Sequence, residues 1–192
     1  HLRLLVGWVH RMDALIDGIL QYSRVGRVKE ASIAVDLNPL LHEIIDMLAP
    51  PPEITISIEG TLPTVVVERT RIQQVFQNLV QNAAESVRDS GRDRGQLRIS
   101  CVIEAGANDE QALTLRFADD GVGIREEDLT RIFENGFSTK SPDTNHGIGL
   151  HWCANAVNAL GGQIRADGGI RGGAVLSVTV PLHRFATTAR AA

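Results

Sequence analysis

Apolar residues in the first 26 positions recur with a 3-4-3-4-3 spacing, which predicts one long helix with an a/d seam. The seam consists of Leu2, Leu5, Val9, Met12, Ile16 and Ile19. Because such a helix cannot bury its seam alone, we expect a partner helix in a bundle. The alternative is that the helix folds back onto its own domain.

Further along the chain, segments with the apolar spacing of a helix are interspersed with segments in which apolar and polar residues alternate as in a strand. Residues 27–36 read as a linker with a brief strand. Asn38 is predicted to cap a helix that has Pro39 in its first turn, and a longer helix is predicted over 70–89. The last helix is predicted over 147–160. Strands are predicted at 54–59, 65–67, 96–104, 112–118, 163–166 and 174–180. This order predicts an α+β fold, a two-layer sandwich in which one mixed sheet carries helices on one face.

Composition narrows the class of protein. The 192 residues are 43% hydrophobic and 22% charged, which is typical of a globular domain. A net charge of -4 gives no reason to expect a nucleic-acid partner. Cys101 and Cys153 are far apart, so we expect reduced, mostly buried thiols. No segment reads as a membrane span or signal peptide, so we expect this portion to be cytoplasmic. The helical pattern at the first residues suggests a piece of a longer protein, whose membrane attachment stays open.

The run 117–124, Phe-Ala-Asp-Asp-Gly-Val-Gly-Ile, places a carboxylate at the end of a predicted strand. Asp119 is followed by Gly121 and Gly123, a loop too rich in glycine to block access to that carboxylate. Alone, the pattern is more often an ordinary Asp-Gly turn.

Asn78 and Asn82 lie four residues apart on the long predicted helix, so their side chains share one face. An amide oxygen suits Mg²⁺, which takes few protein ligands and leaves the rest to phosphates and water. Two exposed helical amides are the alternative.

Two glycine- and phenylalanine-bearing segments follow. Phe133 and Phe137 can pin a segment to the core while Lys140 reaches a polyphosphate; a plain loop with packed rings is the alternative. Gly147 and Gly149 then begin a helix. Because glycine has no side chain, the backbone N–H groups there stay accessible, as a phosphate site requires.

Taken in order, these four motifs resemble the ATP-binding domain of sensor histidine kinases, within the wider gyrase, Hsp90, histidine kinase and MutL superfamily. The resemblance implies a Bergerat-type ATP-binding fold. It also implies a division into four segments. These are the second helix of a dimerisation and histidine phosphotransfer hairpin (1–26), a linker (27–36), the ATP-binding catalytic domain (37–183) and a C-terminal tail (184–192).

The resemblance implies roles for individual residues. Asp119 would accept a hydrogen bond from the adenine amino group, Asn82 would ligate Mg²⁺, and Asn78 would lie beside the phosphates. Asn78 and Lys140 would be the catalytic pair, and residues 136–146 would form a short lid. The remaining residues implied to contact ATP are Gly121, Gly123, Ile124, Phe133, Thr139, His146, Gly147, Ile148, Gly149 and Leu150.

The chain departs from the family pattern in three places. The glycine usual before Gly147 is partly lost, and Asn145 and His146 stand there instead. Many members carry Lys or Arg where this chain has Glu85, and Lys140, Arg88 and His146 are the candidate replacements. The histidine that the family phosphorylates is usually followed by an acidic residue, and neither His1 nor His10 is. We therefore expect the chain to bind Mg-ATP without phosphorylating itself, because the acceptor would lie on the first hairpin helix.

Three functions compete: a histidine kinase, a hydrolase of the same superfamily, and an interaction module. The related hydrolases place a glutamate general base where this chain has Asn78, which cannot take a proton. The sequence therefore favours transfer of the ATP γ-phosphoryl group to a histidine, for relay to the receiver domain of a response regulator. The expected assembly is a homodimer through the N-terminal helix.

Overall fold

The computed structural model describes residues 30–105, 111–139, 147–169 and 172–182. The predicted bundle helix (1–26) and the predicted tail (184–192) lie outside these ranges. The elements in chain order are β1 (Ile33–Asp36), α1 (Leu37–Leu48), β2 (Ile54–Glu59), β3 (Thr64–Val67), α2 (Arg69–Asp89), β4 (Gly95–Ala105), β5 (Gln111–Asp119), α3 (Gly149–Ala159), β6 (Gln163–Gly168) and β7 (Ala174–Pro181). Two 3-10 turns, Glu126–Asp128 and Arg131–Phe133, lie between β5 and α3.

The main sheet is mixed and has the strand order β2-β4-β5-β7-β6. Strand β2 runs parallel to β4, and the other neighbours are antiparallel. Cross-strand partners Ile99, Phe117 and Leu176 are buried on the face that α2 covers, and the rings of Phe76 on α2 and Phe117 are 5.6 Å apart. The predicted α+β architecture is confirmed.

The opposite face of the main sheet is polar. Arg98 and Arg116 are exposed there, and the hydroxyls of Thr114 and Thr179 are 3.0 Å apart. Because side chains alternate along a strand, Asp119 falls on the same face as Phe117. The sheet therefore aims the Asp119 carboxylate at α2 and away from the polar face.

A second, two-stranded sheet corrects the expectation of a single sheet. Strand β3 pairs antiparallel with β1, with Val35 opposite Val65, and both valines are buried. Strand β1 is the brief strand that the sequence pattern predicts within the linker 27–36. It supplies the backbone partners that β3 needs, so β3 does not join the main sheet.

The first helix begins differently from its prediction. Asp36, not Asn38, is its N-cap, and its carboxylate accepts the Asn38 N–H at 3.0 Å. The Asn38 side chain is engaged elsewhere: its Nδ2 donates to the Leu62 carbonyl at 2.8 Å and its Oδ1 accepts the Leu62 N–H at 3.1 Å. The amide predicted as a cap therefore ties α1 to the segment before β3.

Candidate functional site

Asp119 ends β5 with only 7% of its surface exposed. Its Oδ1 accepts hydrogen bonds from the Ser86 hydroxyl at 3.0 Å and from the Gly121 N–H at 2.9 Å. Burial raises the pKa of Asp119, and hydrogen bonds from the Gly121 backbone, the Ser86 hydroxyl and the Ala174 backbone oppose that rise in part. A carboxylate has about four lone-pair sites, so Oδ2 keeps capacity to accept from a ligand.

The neighbouring Asp120 has a structural role. Its Oδ1 accepts the Gln96 N–H at 2.7 Å, and its own N–H donates to the Gln96 carbonyl at 3.2 Å. Arg92 donates to the Asp120 carbonyl at 2.6 Å. These bonds fix the end of β5 against the start of β4, so the two adjacent aspartates serve different purposes.

The glycines after Asp119 are required by the protein's own packing. A Cβ at Gly121 would come under 3.0 Å from the Ser86 side chain and backbone. Gly123 has a φ of 76°, and a Cβ there would come under 3.0 Å from the Gly172 carbonyl. A Cβ at Gly173 would collide with the Asp119 backbone in the same way. The loop therefore lies between α2 on one side and the glycine turn before β7 on the other.

The structure brings Asn78 and Asn82 to the start of α3. Asn82 Nδ2 donates to the Asn78 carbonyl at 2.8 Å, which orients the Asn82 amide against its own helix. A Cβ on Gly149 would lie 3.4 Å from Asn78 Oδ1 and 4.0 Å from Asn82 Nδ2. Asn78 Nδ2 is buried and has no hydrogen-bond partner in the described part of the chain other than the weak contact of the Asn78 amide with the Cys153 thiol. A buried donor without a strong partner costs stability, and a bound ligand could supply its acceptor.

Cys153 is a residue of α3 whose side chain contacts Asn78 of α2. Its side chain is fully buried, its Sγ is 3.9 Å from the Val75 carbonyl, and burial raises its pKa to about 12. Cys101 is half-buried, and burial raises its pKa as well. Both cysteines are free, as predicted, and Cys153 acts as a small core residue between α2 and α3.

The phenylalanine segment (131–137) lies beside the turn Gly147–Gly149, which is called the glycine turn below. Phe133 and Phe137 are partly buried against the core, and the Arg131 guanidinium is 4.6 Å from the centre of the Phe137 ring. The Gly136 N–H donates to the Gly147 carbonyl at 3.3 Å. A Cβ on Gly147, whose φ is 66°, would come under 3.0 Å from the Phe137 carbonyl. The segment therefore needs glycine at position 147.

The other residues implied by the resemblance have varied environments. Ile124 and Leu150 are partly buried and pack against the core, and Thr139 is exposed. Ile148 is the N-cap of α3, which begins two residues later than predicted. Lys140 and His146 lie outside the described residues.

The position usually held by a cation is occupied by Glu85, which accepts from Gln81 at 3.1 Å. Of the candidate replacements, only Arg88 lies in the described residues. It is exposed, and its Nε is 3.4 Å from Asp89. Arg88 therefore has a surface ion pair beside it on the same helix.

Ser86 is a site residue that the motifs did not reveal. It follows Asn82 by four residues, just as Asn82 follows Asn78, so all three lie on one face of α2. Its hydroxyl holds Asp119, and its carbonyl accepts the Val122 N–H at 3.2 Å. The four-residue spacing was visible in the sequence, but serine is too common in helices to be singled out without Asp119 beside it.

Comparisons with known proteins identify the family and the fold. A family model described as histidine kinase-, DNA gyrase B- and HSP90-like ATPase matches residues 67–184. Cyanobacterial phytochrome B of Nostoc sp. is 34% identical over 168 residues, which cover 83% of this chain and 21% of that protein. The histidine-protein kinase BaeS of Escherichia coli is 31% identical over 136 residues, which cover 67% of this chain and 27% of BaeS.

Solved structures show the same fold. The catalytic domain of histidine kinase ThkA, in a nucleotide-free form, superposes with a TM-score of 0.62 at 26% identity, covering 78% of this chain and 96% of that one. Full-length ShkA in complex with AMPPNP superposes with a TM-score of 0.71 at 22% identity, covering 93% of this chain and 37% of that one. At the lower identity, ShkA supports the fold alone.

The matched family model, together with the buried Asp119 and the paired asparagines, places this chain in the histidine kinase-, DNA gyrase B- and HSP90-like ATPase family. The resemblance to the ATP-binding catalytic domain of sensor histidine kinases is thereby confirmed. The chain spans only about a fifth to a quarter of the two curated relatives described above.

Proposed function

We propose that this site binds Mg-ATP and that the chain is the catalytic portion of a sensor histidine kinase. In this proposal the γ-phosphoryl group passes to a histidine on a dimerisation helix, for relay to the receiver domain of a response regulator. The observation that carries the proposal is the buried Asp119 carboxylate, whose Oδ1 is held by two donors. A buried acceptor fixed in this way is suited to reading one hydrogen-bond donor on a ligand.

The base side of the site follows from Asp119. Its Oδ2 would accept from the exocyclic amino group of adenine. Guanine presents a carbonyl oxygen at that place, so two acceptors would face each other. Ser86 and Gly121 hold the carboxylate in one orientation, and Gly123 and Gly173 keep backbone close around it.

The phosphate side follows from α2 and the start of α3. The amide oxygen of Asn82 would ligate Mg²⁺, and the buried Nδ2 of Asn78 could donate to a phosphate oxygen. The described residues hold no cluster of three His, Cys, Asp or Glu that could bind a metal. An ion here would therefore rely on Asn82 and on the phosphates themselves. When bound, Mg²⁺ would neutralise charge on the polyphosphate.

The residues present fit phosphoryl transfer better than hydrolysis. Asn78 occupies the place where a general base would activate water, and an amide cannot take up that proton. The chain's contribution is positioning: Asn78, Asn82 and the Gly147–Gly149 turn would hold the triphosphate for an incoming imidazole. Lys140 and His146 remain the proposed cations for the phosphates.

The proposal extends to assembly and location. We propose that residues 1–26 join a homodimer and that this portion of the protein lies in the cytoplasm. Among the described residues, no helix combines the length and apolar character needed to cross a membrane.

The experiment that tests the proposal separates transfer from hydrolysis. The chain is incubated with Mg²⁺, γ-labelled ATP and the purified two-helix hairpin of the full-length protein. We expect acid-labile label on the hairpin and none on this chain. Release of inorganic phosphate without label on the hairpin would instead identify a hydrolase. Stable label on His10 would contradict the need for the first hairpin helix.

A further inference from the structure

His151 joins the first turn of α3 to the 3-10 turn Arg131–Phe133. Its Nδ1 lies 2.9 Å from the carbonyl oxygen of Phe133. Its Nε2 lies 3.0 Å from Nδ2 of Asn155, one helical turn further along α3. Both ring nitrogens therefore have a polar partner.

The contact with Phe133 fixes the role of one ring nitrogen. A carbonyl oxygen can only accept, so this contact is a hydrogen bond when Nδ1 carries a proton. With both nitrogens engaged, the ring is held in one orientation.

The bond to Phe133 sets a spacing within the candidate site. Two residues before His151, Gly149 lies against Asn78. Three residues after Phe133, the Gly136 N–H meets the Gly147 carbonyl in a longer bond of 3.3 Å. The phenylalanine segment and the glycine turn are thus joined at two points, and the His151 bond is the shorter of the two.

We propose that His151 is a positioning residue for the phosphate side of the nucleotide site. It fixes the Gly147–Gly149 turn relative to the phenylalanine segment, and so relative to Asn78. The base side is not involved, because Asp119 is held by Ser86 and Gly121. This inference rests on the proposed nucleotide site and assigns a role to a residue that the four motifs leave without one.

Three substitutions test the role. His151→Leu removes the donor, His151→Asn can place an amide Nδ2 where Nδ1 lies, and His151→Gln carries its amide one bond further out. Affinities for ATP, ADP and adenosine are measured by calorimetry, using displacement for the weak ligand. We expect His151→Leu and His151→Gln to bind ATP and ADP about 3- to 10-fold more weakly and adenosine unchanged. We expect His151→Asn to bind all three as the parent does.

Each alternative result is distinct. If the parent binds no ATP, the proposed function fails and this inference fails with it. If the parent binds ATP and His151→Leu binds it equally well, only this inference is overturned. Equal loss of ATP and adenosine in His151→Leu would mean a general structural role, which also overturns it. The folded parent gives an independent check, because long-range ¹H–¹⁵N spectra should show His151 protonated at Nδ1, and a ring protonated only at Nε2 would contradict the proposal.

Discussion

The Ser86 hydroxyl donates to Oδ1 of Asp119 across 3.0 Å and links the long helix α2 to the end of β5. The Ser86 carbonyl also accepts a hydrogen bond from the Val122 N–H at 3.2 Å. One residue of α2 therefore holds both the carboxylate and the glycine loop that follows it. This relationship makes the base side of the site a joint product of α2 and the main sheet.

Replacing Ser86 with alanine should weaken ATP binding by about 3- to 10-fold, because a neutral hydrogen bond contributes about 0.5–1.5 kcal/mol and here orients the ligand-binding carboxylate. Calorimetry with ATP measures the change. Ser90→Ala is the matched control on the segment just after α2. The Ser90 hydroxyl donates to the Val87 carbonyl at 2.6 Å and accepts the Arg92 N–H at 3.4 Å, and it makes no bond to Asp119. Equal losses in the two variants would contradict a specific role for Ser86.

Gly121→Ala should destabilise the fold by about 1–3 kcal/mol, because its Cβ would come under 3.0 Å from Ser86 backbone atoms, which cannot easily move. Urea unfolding measures the free energy. Gly168→Ala is the control: its Cβ would meet nothing within 4 Å, so its effect should stay within about 0.5 kcal/mol. If Gly121→Ala were as stable as Gly168→Ala, the close approach of the loop to α2 would be wrong.

Asn82→Ala should bind ATP equally with and without Mg²⁺, because the substitution removes the one amide oxygen proposed to ligate the ion. Parent and variant are titrated with ATP in Mg²⁺ and in a chelator. Asn158→Ala, at an exposed position of α3, should keep the parent's dependence on Mg²⁺. A variant at position 82 that still binds ATP more tightly with Mg²⁺ would rule out Asn82 as the ligand.

Asp119→Asn should stabilise the nucleotide-free chain in a pH-dependent way. Burial raises the pKa of Asp119 in the folded state. Below the unfolded-state pKa the carboxyl is protonated in both states and its burial carries no ionisation cost. As the pH rises through the folded-state pKa, the carboxylate must be charged in the interior and stability is lost. The amide escapes this loss.

The gain in melting temperature of Asp119→Asn over the parent should therefore increase from acidic to neutral pH. Thermal unfolding followed by circular dichroism measures it. Asp167→Asn, at an exposed position on β6, should show no such trend. A gain for Asp119→Asn that stays constant with pH would mean that the carboxylate is not held at a desolvation cost.

Much of the fold could be predicted because the apolar patterns of helices and strands are local in the sequence. The 3.6-residue period predicted the start of α2 within one residue, and alternation predicted the strands from β4 to β7 within a few residues. Pairing is not local. Nothing in Val65–Val67 shows that β1, about thirty residues away, would supply its partner. Asn38 was wrongly predicted as the N-cap, because the two hydrogen bonds between its amide and the Leu62 backbone exist only in the folded chain.

The candidate site divides in the same way. Asp119, Asn78 and Asn82 were predicted as site residues because the order of the four motifs resembles a known family, and their spacing places them on one strand end and one helix face. Ser86 and His151 were not, since each acts through a contact with a residue far along the chain, Asp119 and Phe133. Such contacts depend on how helices and strands pack, which a single sequence does not show.

Discrimination between ATP and GTP shows whether Asp119 recognises adenine. Calorimetry compares ATP and GTP binding to the parent and to Asp119→Asn. The parent should prefer ATP by roughly 5- to 150-fold, because a buried unmet acceptor costs about 1–3 kcal/mol. Asp119→Asn should lose most of that preference and most of the affinity for ATP. If Asp119→Asn binds ATP as tightly as the parent and still rejects GTP, Asp119 is a turn residue and the account of this site is wrong.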